Sequence, residues 1–330
     1  MPTGACAGEQ EHLRYWKQLS PHVEPYSYRL CSHVCHCRPH VIPEDIGHNA
    51  IEPVLNPPAY WPVYEDKNMF PRIVGADRVP RTVACRIGGG ALLDDHFTPL
   101  PEVDLTHCAD TLFLKPSVNT SCGDGVKKFV RRDGTHVGLD DGTPLTADYL
   151  MAYGDNFVLQ EGVVQHPFYA QFNASSVNTL RLIVYRSVRD EQHRVSAGIL
   201  RIGRRNAPLD NTMTGGCYVG IDIRQGVLGH FAVDRNSRIL DQWNDIDLSR
   251  TTFQLPLWNE TVRFACEVCS HIAHHRLIAL DIALTAQGQP TLIEYNIGGF
   301  NFWTYNILQQ DIFAGETDDV VQFCKNRLAR

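Results

Sequence analysis

An α+β fold, with strands paired antiparallel and helices set apart from them, is predicted for this chain by three observations. Apolar, β-branched runs recur in succession with Gly-, Asn- or Pro-containing turns between them, the pattern of hairpins. Helical spacing is confined to a few stretches, notably 258–275 and 317–328. Residues 1–60 carry Pro at a density that prevents long helices or central strands, so an irregular capping segment is expected there, with one helix at Glu9 to Leu19.

The 330 residues, 43% hydrophobic and 20% charged, describe a globular chain of one large or two to three small domains. A net charge of −7 argues against a nucleic-acid surface, which would cluster Lys and Arg without an acidic excess. The first residues lack the apolar core of a secretory signal, and the longest apolar run is broken by Asp281, so neither export nor a membrane span is expected and a cytoplasmic location is. The eleven cysteines then read as reduced residues rather than a disulfide framework. Cys31, Cys35 and Cys37 with His33, His36 and His40 could supply zinc ligands, but the spacing is not a paired C-x-x-C, and no structural zinc is expected. Cys266 and Cys269 have C-x-x-C spacing within a helical pattern, where they face a core.

In order after residue 60, DKNMFPRIV predicts a short helix and VPRTVACRIGGGALL a loop and strand. Leu112 to Lys115 is a strand, Pro116 to Gly125 a loop of small residues, and Val126 to Val130 a returning strand. A Lys at a strand end followed by a Ser/Thr/Gly loop can neutralise a phosphate while backbone N–H groups close over it, although the spacing is not that of a P-loop. A helix near Thr146 to Tyr153 leads to a strand ending in Gln160 and Glu161, whose exit could hold a purine, with Glu161 and His166 as candidates. Further strands follow, two of which carry Arg181 and Arg201 within apolar runs, where a guanidinium must avoid the core or meet an anion. Asp210, Asn211, Gly215 and Gly216 form a polar loop between strands.

The stretch from Leu277 to Asn296, LIALDIALTAQGQPTLIEYN, is a hairpin. Centred between Gln287 and Gly288, it sets Asp281 opposite Glu294 and leaves Glu294 and Asn296 on one face. Opposed carboxylates need a compensating cation, and an Asp, a Glu and an Asn are the hard oxygen donors that suit Mg²⁺ carried on phosphates.

With Lys115 and its loop, the Gln160-Glu161 strand end, the NTLR strand, the DN…GG loop and the D…E-x-N hairpin in this order, residues 60–310 resemble the ATP-grasp superfamily. Within it they are most similar to the sugar-transfer-associated group, which itself resembles the glutamate-ligase branch. That resemblance implies two α+β subdomains clamping ATP, divided as a capping segment 1–60, a linker and helical region 61–107, a small subdomain 108–164 with the phosphate lid, and a C-terminal subdomain 165–330. It also implies that Lys115, Ser117, Ser121, Gly123 and Gly125 meet ATP phosphates. Gln160, Glu161, Val163, His166 and Asn211 would contact the rest of the nucleotide, and Arg201 and Arg181 the transferred phosphoryl group. Asp281, Glu294 and Asn296 would bind Mg²⁺. The implied reaction joins a small carboxylate substrate to an amine acceptor through an acyl phosphate. A nucleotide-binding scaffold of polysaccharide assembly and a kinase stopping at the phosphorylated product are the alternatives, and a homodimer is left open.

Overall fold

The computed structural model describes residues 4–35, 41–118, 124–205, 210 and 215–329. Two antiparallel sheets organise it. The smaller has six strands, β1 (Thr82–Arg86), β2 (Leu92–Leu93), β3 (Thr111–Pro116), β4 (Lys127–Arg132), β5 (Thr135–Gly138) and β6 (Phe157–Glu161), in the order β2-β1-β6-β3-β4-β5. Its core is Leu112, Leu114, Phe129, Leu150, Phe157 and Leu159. The helix Ala147–Tyr153 packs there, started by Thr146, whose hydroxyl accepts the Tyr149 N–H. The stretch 61–107, expected to hold a short helix and then a loop and strand, carries the helix Phe70–Val74 and supplies β1 and β2 of this sheet.

The larger sheet contains β7 (Leu180–Arg186), β8 (His193–Ile202), β9 (Cys217–Asp222), β10 (Val227–Asp234) and β11 (Ile239–Leu240). A ribbon of β12 (Gln242–Trp243) and β13 (Ile246–Asp247) stands apart, and the hairpin β14 (Leu277–Leu284) and β15 (Pro290–Asn296) completes the order β11-β10-β9-β8-β7-β14-β15. Alternation is clean: Ile278, Leu280, Ile282 and Leu284 of β14 enter the core under the helix Trp258–Ser270, while Leu277 and Ala279 enter the core on the opposite face. The second core is closed by Trp16, Ile46, Ile51 and Leu55 from the N-terminal segment and by Phe302, Tyr305, Val320 and Cys324 from the last two helices.

Three expectations are corrected here. The N-terminal segment is a set of short helices, Glu9–Trp16, Tyr26–Val34 and a continuous helical run from Glu44 to Leu55, because most of its prolines spare the helix interiors: Pro25 and Pro43 stand as N-caps and Pro58 in a first turn, where no N–H is missed, while Pro53 lies inside the run just after its π-helical turn. The helix expected to reach His275 ends at Ser270, where turns centred on Ile272 lead into β14. Cys269 does face the core and Cys266 packs at its edge. Cys31 is disulfide-bonded, against the expectation of reduced thiols, whereas Cys35 is free. Cys37, His36 and His40 lie outside the described residues.

The two sheets are joined by the linker after β6. The Ala286 N–H donates to Val164 O and the His166 N–H to Leu284 O, so the linker is tied to the turn of the β14–β15 hairpin.

Candidate active site

Register builds the centre of the site. Asp281 pairs with Glu294 on one side and Arg181 on the other, and Ala279 pairs with Asn296. The predicted register holds there and slips by one residue between Asp281 and Ile282, a bulge that lies toward the turn. Arg181 grips Asp281 with two parallel bonds, Nε to Oδ1 and Nη2 to Oδ2, both 2.7 Å. Arg201 adds Nη1 to Asp281 Oδ2 at 2.9 Å and reaches Asp210 Oδ1 at 3.2 Å through Nη2. Asp210 in turn accepts the Thr179 N–H at 3.0 Å and the Thr179 hydroxyl. Burial pushes the Asp281 carboxyl up, yet the two guanidiniums overcome it and hold the group below the usual carboxylate range.

Glu294 has a different partner. Lys67 Nζ lies 3.2 Å from Glu294 Oε1, and Lys115, at the end of β3, is close enough for Glu294 to stabilise its charge. Burial pushes the Lys115 ammonium down to about 8, with Glu294 opposing that fall and Lys67 adding to it. Lys115 Nζ also donates to Gln160 Oε1 at 3.3 Å. The opposed carboxylates are therefore compensated by protein cations, Asp281 by two arginines and Glu294 by lysines, which the hairpin read in isolation did not provide.

Lys67 was not singled out from the sequence. It sits in a Pro-interrupted stretch with no periodicity, and it reaches the site because its N–H is bonded to Ser117 O at the base of the small-residue loop. Ser117 is buried and its hydroxyl has no partner among the described residues. At the other end of that loop Gly125 has φ 73°, a left-handed conformation suited to glycine, and its carbonyl accepts the Tyr153 hydroxyl at 2.6 Å. Ser121, Gly123 and Asn211 lie outside the described residues.

The residues after β6 are placed less simply. Gln160 joins the lysine cluster, but the Glu161 carboxylate is taken by Arg81 Nη1 at 2.8 Å and the Ala109 N–H at 3.0 Å. His166 caps the short helix Pro167–Ala170, its Nδ1 accepting the Phe168 N–H at 3.2 Å. Val163 is half-buried in the linker.

On the arginine side, Arg181, Arg201 and Asn296 line a cavity of about 80 Å³ with Tyr218, Trp303 and Tyr305. The Asn296 amide nitrogen is buried there without a partner.

Residues 48–320 match the model of the sugar-transfer associated ATP-grasp family. The chain belongs to that family. Its two antiparallel sheets meeting at a cation-lined seam are an ATP-grasp fold. Solved structures similar to this ATP-grasp chain include the ADP complex of purK, an N5-carboxyaminoimidazole ribonucleotide synthetase, at 14% identity and TM-score 0.42 over 73% of this chain and 46% of that one. Others are the N5-carboxyaminoimidazole synthetase from Staphylococcus aureus complexed with ADP, at 10% identity and TM-score 0.43 over 78% and 52%, and the D-cycloserine synthetase DcsG, at 13% and 0.41 over 83% and 73%. The chain spans 46 to 63% of the length of the first four solved structures it resembles. The comparison with curated proteins returns no match.

The donor set of this ATP-grasp site suits a hard divalent cation shared with phosphate. Glu294 is partly open to solvent, and the orphaned Asn296 amide N–H calls for an acceptor such as a phosphate oxygen. Asp281 already accepts three N–H bonds, so it would join such a set only as the guanidiniums turn to another anion.

Proposed function

We propose that the chain is an ADP-forming carboxylate–amine ligase acting through an acyl phosphate. The observation that carries this reading is the convergence of four cations, Lys67, Lys115, Arg181 and Arg201, on the opposed carboxylates Asp281 and Glu294 at the junction of the two sheets. Family membership supports nucleotide as the anion those cations serve.

In this reading Lys67 and Lys115 lie along the ATP phosphates, where ammonium groups in a partly desolvated seam neutralise charge at little reorganisation cost. The segment between Ser117 and Gly125 would serve to keep water from the activated acyl group. Gln160, Val163 and the linker to His166 border the base and ribose. Asp281, Glu294 and Asn296 would hold Mg²⁺, which would supply charge neutralisation at the nucleotide phosphates. Arg181 and Arg201 orient the substrate carboxylate and the phosphoryl group it receives. A carboxylate oxygen attacks the γ-phosphorus and ADP leaves. The amine then attacks the acyl carbon, inorganic phosphate departs carrying the amine's proton, and an amide remains. A carboxylate is a weak nucleophile, so the residues act by positioning and charge rather than by covalent chemistry.

A nucleotide-binding scaffold is the second reading, favoured by the three N–H bonds that occupy Asp281. The two are separated by screening amino acids and uronic and sialic acids, each with and without amines, for ADP release from Mg–ATP. Release that requires both an acid and an amine supports the ligase. Release with the acid alone indicates a kinase, and nucleotide binding with no release under any pairing indicates a scaffold.

A further inference from the structure

The loop that follows the carboxylate hairpin is held from outside the two sheets. Three polar side chains of the helical run Glu44–Leu55 and its C-cap, Asn56, reach it in register. Asn56 Nδ2 donates to Ile297 O at 2.6 Å and to Leu277 O at 2.6 Å, while its Oδ1 accepts the Leu277 N–H at 3.1 Å. Glu52 Oε1 accepts the Gly299 N–H at 2.6 Å, and Glu44 Oε1 accepts the Trp303 N–H. His48 lies between the two glutamates, its Nδ1 2.9 Å from Glu52 Oε2 and its Nε2 3.0 Å from Glu44 Oε2. Aromatic side chains close against glycine backbone from both sides: a Cβ on Gly47 would come within 2.4 Å of the Phe302 ring, and one on Gly298 within 2.9 Å of the Trp61 ring.

This arrangement is costly for a mere packing contact. Glu52 and Asn56 are buried, 4% and 0% exposed, and a buried carboxylate is tolerated only where it is well bonded. Here Glu52 is given to the backbone of a loop that has no strand neighbour. The helical run is also wound as a π-helix over Gly47–Ile51, which re-aims the side chains of its second half. Gly299, Phe300, Asn301 and Trp303 of the gripped loop line the same cavity as Arg181, Arg201 and Asn296.

We infer that Glu44, Glu52 and Asn56, with His48 bracing the two glutamates, are positioning residues that fix Asn296, the cavity-lining loop 297–301 and the start of the helix Phe302–Ile307. The N-terminal segment thereby builds one wall of the reaction site. The purpose assigned to that wall rests on the ligase reading, whereas the grip itself does not.

The test compares Glu52→Ala with Glu52→Gln, which keeps an acceptor for the Gly299 N–H, and uses Glu44→Ala and Glu44→Gln as a second pair if Glu52→Ala fails to fold. Two quantities are read on the full chain: hydrogen exchange of the peptide spanning 297–304, and the Mg²⁺ concentration that half-saturates binding of ATP by calorimetry. The Ala variants should speed exchange in that peptide about tenfold or more without a matching rise in β7 and β8, and raise the half-saturating Mg²⁺ about fivefold, with the Gln variants near wild type in both. Unchanged exchange in the Ala variants, Ala and Gln variants that behave alike, or a rise spread evenly over the large sheet would overturn the inference. If the wild-type chain shows no Mg²⁺-dependent ATP binding, the ligase reading fails instead, and the exchange result still decides the grip.

Discussion

Replacing Glu294 by Gln tests the reading of the seam because the structure reverses the sign that the hairpin alone suggests. Opposite Asp281 on a bare ladder, loss of one negative charge should relieve repulsion and stabilise the fold. In the folded chain, Asp281 is already neutralised by Arg181 and Arg201, and Glu294 is the counterion of Lys67 at 3.2 Å, with side chains 33% and 11% exposed respectively. Glu294 also supports the charge of Lys115. Gln at 294 keeps the shape and takes from two lysines the carboxylate they share. Breaking a pair of this intermediate burial should cost about 1–2 kcal/mol, between the exposed and the fully buried cases. The assay is chemical denaturation followed by tryptophan fluorescence, run beside ADP release from Mg–ATP with the acid and amine that score in the screen. Stability should drop by that amount and turnover should fall about a hundredfold or more, since a charge beside the transferred group is lost. A stability gain would refute the assigned ion pairing, and near-normal turnover would refute the assigned role.

Further predictions concern Lys115, Asp281 and His275. Lys115→Ala should weaken ATP binding by about ten- to a hundredfold in calorimetry with the fold intact, the loss expected for a charged contact to phosphate. Because burial holds Lys115 at about 8, ATP affinity of the wild type should fall as pH rises through about 8, a dependence that Lys115→Arg should abolish. Asp281→Leu should be destabilising, by about 3 kcal/mol in denaturation, because two half-buried guanidiniums lose the buried carboxylate they share. His275 is fully buried, neither ring nitrogen has a partner, and burial pushes its imidazole down to about 4. The unfolded chain takes up that proton near pH 6.5 and the folded chain near 4, so stability present at neutral pH should drain by up to about 3 kcal/mol as pH falls across that window. His275→Phe should flatten the decline, as read from denaturation midpoints at pH 7, 6 and 5.

The carboxylate hairpin was legible because strand alternation and a single turn fix which residues share a face. Asp281, Glu294 and Asn296 follow from that geometry, and the bulge beyond Asp281 falls on the turn side of the pair. Arg181 and Arg201 were legible as guanidiniums in otherwise apolar strands, although their grip on Asp281 depends on strand order, which hairpins do not reveal. Lys67 and the Glu44–Asn56 grip were not legible. Both lie in stretches where Pro reads as a breaker, yet Pro25 and Pro43 start helices there and Pro53 is carried inside one, and their partners are more than two hundred residues away in sequence. Glu161 carries an ordinary strand-end signal, and only the fold shows its carboxylate spent on Arg81 and Ala109.

The central claim is that ATP activates a carboxylate, and the fate of that carboxylate's oxygen tests it most directly. With the acid that supports ADP release labelled with ¹⁸O in its carboxyl group, the released inorganic phosphate is analysed by mass spectrometry. An acyl phosphate requires one carboxylate oxygen to leave with the phosphoryl group, so one ¹⁸O should appear in each phosphate released. Unlabelled phosphate, with the label wholly retained in the acid or its product, would contradict the account.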